Sequence, residues 1–180
     1  MNSFYLAPEH LDAMVAQARG EASQEICGLI VGAGNQAVQV IPISNRSQSP
    51  QNCYEADAVE LYRALREIEA SNLELLGMYH SHPSSPAMLS TEDIRQARLN
   101  YPGKVQVILS LGSTSAKLRA WRVHRDWIDT LAIVTNPKDI LEERGLNRRQ
   151  QVGLIISTAF FVLAFLWVAF TLLPPAPKIP

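Results

Sequence analysis

Apolar and polar positions divide this 180-residue chain into short blocks. Ser3 to Leu6 read as a short strand. Pro8 opens a helix in which Leu11, Met14, Val15 and Ala18 recur at the spacing that lines one helical face, and Gly20 ends it. The unbroken run Ile26-Cys27-Gly28-Leu29-Ile30-Val31 predicts a buried strand. Gly32 to Gln36 supply a turn, and Val38, Val40 and Ile41-Pro42-Ile43 the returning strand of a hairpin. After the polar loop Asn45 to Asn52, a second amphipathic helix fits Asp57 to Ala70, with Ala58, Leu61, Tyr62, Leu65 and Ile68 on one face.

Leu75 to Tyr79 predict a buried strand that runs into His80. Ser84 to Leu89 form a loop, Thr91 to about Leu99 a helix, and Val105–Leu111 and Leu118–Val123 two more strands around Gly112. Helices interleaved with partly hairpin-linked strands predict an α/β (mixed α+β) fold, a mixed sheet packed with helices. Asn136-Pro137 have the form of a helix cap and first turn, and Gly145 that of its stop.

Further along, the pattern changes. From Val152 to Leu173, 22 residues carry no ionisable side chain. At 1.5 Å per residue they rise about 33 Å, enough for a hydrocarbon core of about 30 Å. Arg144, Arg148 and Arg149 precede the run and only Lys178 follows it. The run therefore predicts one transmembrane helix, with the N-terminal domain held in the cytoplasm by the positive-inside rule. The expected organisation is a domain over 1–129, a charged linker helix over 130–151, a membrane anchor over 152–173 and a short Pro-rich tail over 174–180.

Composition narrows the function classes. Apolar residues make up 47% and charged residues 18%, which excludes bulk disorder. The net charge of −1 leaves no basic surplus for nucleic acid. Cys27 and Cys53 are too few for a disulfide framework or an all-cysteine metal site, and pairing between them is not expected in a reducing compartment. The start MNSFYLAPEH shows no secretory pattern.

The candidate chemistry lies in Tyr79-His80-Ser81-His82-Pro83 and the following Ser90-Thr91-Glu92-Asp93. Two histidines two apart at a strand end point the same way. Imidazole nitrogens suit zinc, and a carboxylate one turn into the next helix can complete a three-ligand set with a fourth position open to water. Ser90-x-x-Asp93 also has the form of a helix capping box, which is compatible with facing the site. A hydrolase of this kind needs a base. Glu25, at the head of an otherwise apolar strand, is the candidate if it is buried; at an exposed strand edge it would merely be solvated. Cys27, two residues on, either approaches the metal or packs as a small apolar side chain.

Together, Glu25-Ile26-Cys27-Gly28, His80-Ser81-His82-Pro83 and Ser90-x-x-Asp93 resemble the JAMM signature of the MPN-domain metalloproteases, with no motif position missing. The resemblance covers roughly Phe4 to Val123. It implies an MPN-like (cytidine-deaminase-like) sheet and one catalytic zinc held by His80, His82 and Asp93. It implies Glu25 as the acid/base and Ser90 as the oxyanion helper. The implied substrate is the C-terminal tail of a ubiquitin-like or sulfur-carrier protein, cut at a peptide or isopeptide bond. The interval from Asp93 to Val105 leaves no room for a large insertion, as in minimal prokaryotic members. The alternative is a non-catalytic, membrane-tethered MPN scaffold. Such proteins usually lack ligands of the motif, whereas here the set is complete.

Overall fold

The computed structural model describes residues 3–112, 115–139 and 148–171. The chain divides into two units, Met1–Leu141 and Glu142–Pro180. In the first, β1 (Ser3–Tyr5) precedes α1 (Pro8–Gly20), which has proline in its first turn. The hairpin β2 (Cys27–Ala33) and β3 (Gln36–Ile43) follows, then α2 (Ala58–Ala70). Next come β4 (Glu74–His82), α3 (Thr91–Asn100), β5 (Val105–Leu111), β6 (Ala116–Val123) and β7 (Ile128–Val134).

The strands close into a barrel in the order β1-β3-β2-β4-β5-β6-β7. β1 runs parallel to both β3 and β7, and β4 parallel to β5; the other pairs are antiparallel. This is the mixed α/β sheet that the alternating blocks predict.

β2 is apolar at nearly every position because both of its faces are covered. Ile30 joins a cluster with Phe4, Met14, Tyr79 and Val107, which includes α1. Cys27, Leu29 and Val31 join Met78 with Ala64 and Ile68 of α2. α3 packs Ala97 against Ile108, Trp121 and Val123. Asp57 caps α2, its side chain accepting from the backbone N–H of Val59 and Glu60. Those two bonds and Arg46 hold its carboxyl below the usual carboxylate range.

Two expectations are corrected. The domain does not give way to a helix at residue 130, because β7 runs from Ile128 to Val134. Its residues Ala132, Ile133 and Val134 pair with Ser3, Phe4 and Tyr5, so the strand is needed to close the sheet on β1. The predicted helix start holds: the Lys138 N–H donates to the Asn136 side-chain oxygen at 3.1 Å. The rest of that linker, 140–147, lies outside the described residues.

The second correction concerns the membrane anchor. α4 (Arg148–Thr171) is helical, but no helix among the described residues is long and apolar enough to cross a membrane. The transmembrane reading of 152–173 is overturned, and with it the membrane partner and the placement of the domain on the cytoplasmic side. The tail 174–180 lies outside the described residues.

Gly28 allows the closest approach near the site. A Cβ there would collide with the Tyr79 ring and the Ile41 carbonyl oxygen, while the Tyr79 hydroxyl donates to Gln17 of α1 at 2.7 Å. Gly28→Ala is expected to lower the unfolding free energy by about 1–3 kcal/mol, the typical cost of overpacking. Urea unfolding of variant and wild type measures it, and an unchanged midpoint would show that Tyr79 moves aside without penalty.

Candidate metal centre

The site begins with the register of two strands. β2 and β4 are antiparallel, with Cys27 opposite His80. The pairing continues past the end of β2: the Ile26 N–H donates to the Ser81 hydroxyl oxygen, and the Ser81 N–H to the Ile26 carbonyl, both at 3.0 Å. This register sets Glu25 against His82. Side chains alternate along β4, so His80 and His82 leave on one face while Ser81 ties the strand on the other.

α3 is the crossover between the parallel strands β4 and β5, so its N-terminus lies near the carboxyl end of β4. There Ser90 and Asp93 form a full capping box. The Asp93 N–H donates to Ser90 Oγ at 3.1 Å, and the Ser90 N–H donates to Asp93 Oδ2 at 2.7 Å. The box turns the Asp93 carboxylate back toward the histidines. His80 Nε2 lies 3.3 Å from Asp93 Oδ1, His82 Nε2 3.5 Å from Asp93 Oδ2, and the two Nε2 atoms 3.2 Å apart.

These separations test the fit to a metal. Ligand atoms about 2.0–2.1 Å from a tetrahedral zinc are about 3.3–3.4 Å from one another. The Nε2–Nε2 separation of 3.2 Å is close to that value, and one ligand atom from each of the three residues lies within 4.8 Å of the others. Among the described residues, His80, His82 and Asp93 are the group of this kind that could hold a metal ion. The His82 Nδ1–H donates to the Pro86 carbonyl at 3.1 Å, which leaves Nε2 as the nitrogen facing the site. Tyr54 stacks on the His80 ring with centroids 4.7 Å apart.

Burial and charge oppose each other here. Burial lowers the His80 pKa, keeping a neutral imidazole suited to ligation, against the pull of Asp93. Burial also lowers His82, but the hydrogen bonds to Asp93 and Pro86 outweigh it and leave that pKa raised. Burial raises Asp93, yet the hydrogen bonds from His80 and His82 win and hold its carboxyl well below the usual range. Glu25 has no such partner. Burial pushes its pKa up to about 7, with His82 lowering it and Asp93 raising it.

Glu25, Tyr54, His82, Ser90 and Asp93 line a single cleft of about 560 Å³. That lies within the size range of small-ligand sites, about 300–1,000 Å³. Glu25 is 5% exposed, so the reading of a solvated strand edge does not hold. Cys27 takes the apolar alternative: it is buried in the α2 cluster, and its thiol donates to the Ile43 carbonyl at 3.4 Å. Both cysteines are free. His124 stands apart, stacked on Trp127 and 3.2 Å from Asp129.

Sequence reasoning missed Asn45 and Tyr54. The Asn45 side-chain amide donates to the carbonyls of Glu25 at 2.8 Å and Cys53 at 3.2 Å, and its oxygen accepts from the N–H of Ser47 and Glu55. Pro50 accepts from the Glu25 N–H at 2.6 Å. The Glu25 backbone is thus held on both sides by a loop that reads from sequence only as polar. The one available signal was an asparagine two residues after the end of a strand, a residue type suited to tying turns.

Residues 7–124 match the family described as prokaryotic homologs of the JAB domain. A probable TtuB-protein conjugate cleaving protease of Thermus thermophilus is 43% identical over 46% of this chain and 55% of its own length. A desampylase of Pyrococcus furiosus is 31% identical over 66% of this chain and 81% of its own. The solution structure of protein DSY2949 from Desulfitobacterium hafniense superposes with a TM-score of 0.64 at 29% identity, covering 73% of this chain and 91% of that one.

The chain is expected to bind about one zinc per molecule through three protein ligands. A tight site should stabilise the fold by about 2.7 kcal/mol at free zinc about 100 times the Kd. His82→Ala should lose both the bound metal and the thermal shift. Metal content after dialysis and melting curves with and without zinc check this together, and a wild-type chain with neither would sink the reading.

Proposed function

The chain belongs to the prokaryotic JAB-domain family and is an enzyme of the peptidase class, and we propose that it is a zinc-dependent metallo(iso)peptidase. Its substrate in this reading is the C-terminal tail of a ubiquitin-like or sulfur-carrier protein, cut at a peptide or isopeptide bond. The observation that carries it is the close grouping of His80, His82 and Asp93, with a separate buried carboxylate, Glu25, lining the same cleft as His82 and Asp93. The names of the relatives, a conjugate-cleaving protease and a desampylase, support the substrate class.

When bound, zinc supplies Lewis acidity to the scissile carbonyl and lowers the pKa of a coordinated water to about 7. His80, His82 and Asp93 would hold it. Glu25 takes a proton from the attacking water and returns it to the leaving amine. Its pKa of about 7 suits both directions of transfer at neutral pH. Ser90 accepts the Asp93 N–H with its hydroxyl oxygen, so its own O–H proton remains available to donate to the developing oxyanion. That roughly 560 Å³ cleft admits an extended tail rather than a folded domain.

Glu25→Gln is expected to keep the metal and lose about 10²–10⁴-fold in turnover, the usual contribution of a general acid–base group. Ser90→Ala should lose less, since metal polarisation of the carbonyl remains. Zinc content and cleavage of a ubiquitin-like tail fused to a reporter, measured on the same preparations, check both. Wild-type turnover by Glu25→Gln would remove Glu25 from the mechanism.

A further inference from the structure

The two histidines of the candidate metal group are held in different ways. A metal-ligating histidine ordinarily donates its second ring N–H to a carbonyl, a carboxylate or water, which fixes the angle of the ring. His82 does this through Pro86. His80 does not. Its Nδ1 is buried and has no hydrogen-bond partner among the described residues. The whole side chain is 0% exposed, so bulk water does not reach it either.

Tyr54 lies against that ring, with centroids 4.7 Å apart and planes inclined by 30°. Its own position is well determined. It packs with the cluster of Cys27, Leu29 and Ile43. The loop carrying it is tied on both flanks: Asn45 bonds the Cys53 carbonyl and the Glu55 N–H, the Arg46 N–H donates to Glu55 at 2.7 Å, and Asp57 caps α2. A fixed aromatic face can set the plane of a neighbouring imidazole without any hydrogen bond.

We infer that Tyr54 is a positioning residue of the metal site: its ring sets the angle of the His80 imidazole, as the Pro86 carbonyl does for His82. The inference rests on the reading of His80, His82 and Asp93 as metal ligands. It assigns the effect to the aromatic face and not to the hydroxyl. Tyr54→Phe keeps that face, and Tyr54→Leu removes it.

The test uses the full chain and the metals alone. Zinc affinity is read by competition with a chromophoric chelator, and ligand geometry by the visible absorption bands of the cobalt(II)-loaded protein. Loss of an orienting partner typically weakens metal binding about 10–100-fold, which is the loss expected for Tyr54→Leu together with altered cobalt bands. Tyr54→Phe should match the wild type in both. Wild-type affinity and spectrum in Tyr54→Leu would overturn the inference, and so would equal losses in Phe and Leu variants. If Tyr54→Leu fails to fold, the wild type itself decides: ring protons of His80 should show an upfield ring-current shift in NMR, and its absence overturns the stack. A wild-type chain that binds neither ion counts against the metal-site reading itself. A binding wild type indifferent to Tyr54 counts against the positioning role alone.

Discussion

The antiparallel register of β2 against β4 is the constraint on which the site depends. With Cys27 opposite His80, the head of one strand meets the end of the other, and Glu25 comes to His82 from far away in the chain. A slip of one residue would turn both histidines to the opposite face and drive Tyr79 toward α2. Several features oppose that slip. Gly28 leaves open the space that the Tyr79 ring occupies, and Ser81 uses both its hydroxyl and its backbone N–H to continue the ladder to Ile26. The serine between the two histidines thus contributes to register, while the histidines contribute to the cleft.

Asp93 joins two requirements that are usually met by different residues. A buried carboxylate is costly unless it is hydrogen-bonded. Here the backbone N–H of Ser90 and the two imidazoles supply the partners. The Ser90–Asp93 bonds also close the first turn of α3, so formation of the helix and placement of this carboxylate are one event. Sequence reasoning had to weigh a capping box against a metal ligand; the geometry shows that the cap is what turns the Asp93 carboxylate toward the histidines.

Much of this was legible in the chain for a physical reason: local patterns have local causes. The unbroken apolar run 26–31 reads as a buried strand and is one covered on both sides, and Asp57 and Ser90 stand at helix starts that their side chains cap. What was not legible depends on distant partners. β7 has an irregular pattern in which Leu131 alone is fully covered, and its pairing with β1 spans the length of the domain. Its β-branched Ile128, Thr130, Ile133 and Val134 were the available hint. Asn45 and Tyr54 sit in a polar loop whose meaning appears only when it folds back on Glu25 and His80. The charge-free run 152–173 misled in the other direction: it predicts a membrane span, and no helix among the described residues is long and apolar enough to be one.

The electrostatics separate two kinds of carboxylate within one cleft. Asp93 is surrounded by donors and stays charged, whereas Glu25 is buried with its backbone clamped and its side chain without a hydrogen-bonding cation, so its pKa rises to about 7. A ligand must hold its charge through the whole cycle. A proton carrier must lose and regain its proton at the working pH. The fold meets these opposite demands by giving the capping N–H and both imidazoles to one carboxylate and burying the other beside them. That difference in surroundings, rather than the presence of two acids near two histidines, is the physical basis for assigning them different parts in the proposed reaction.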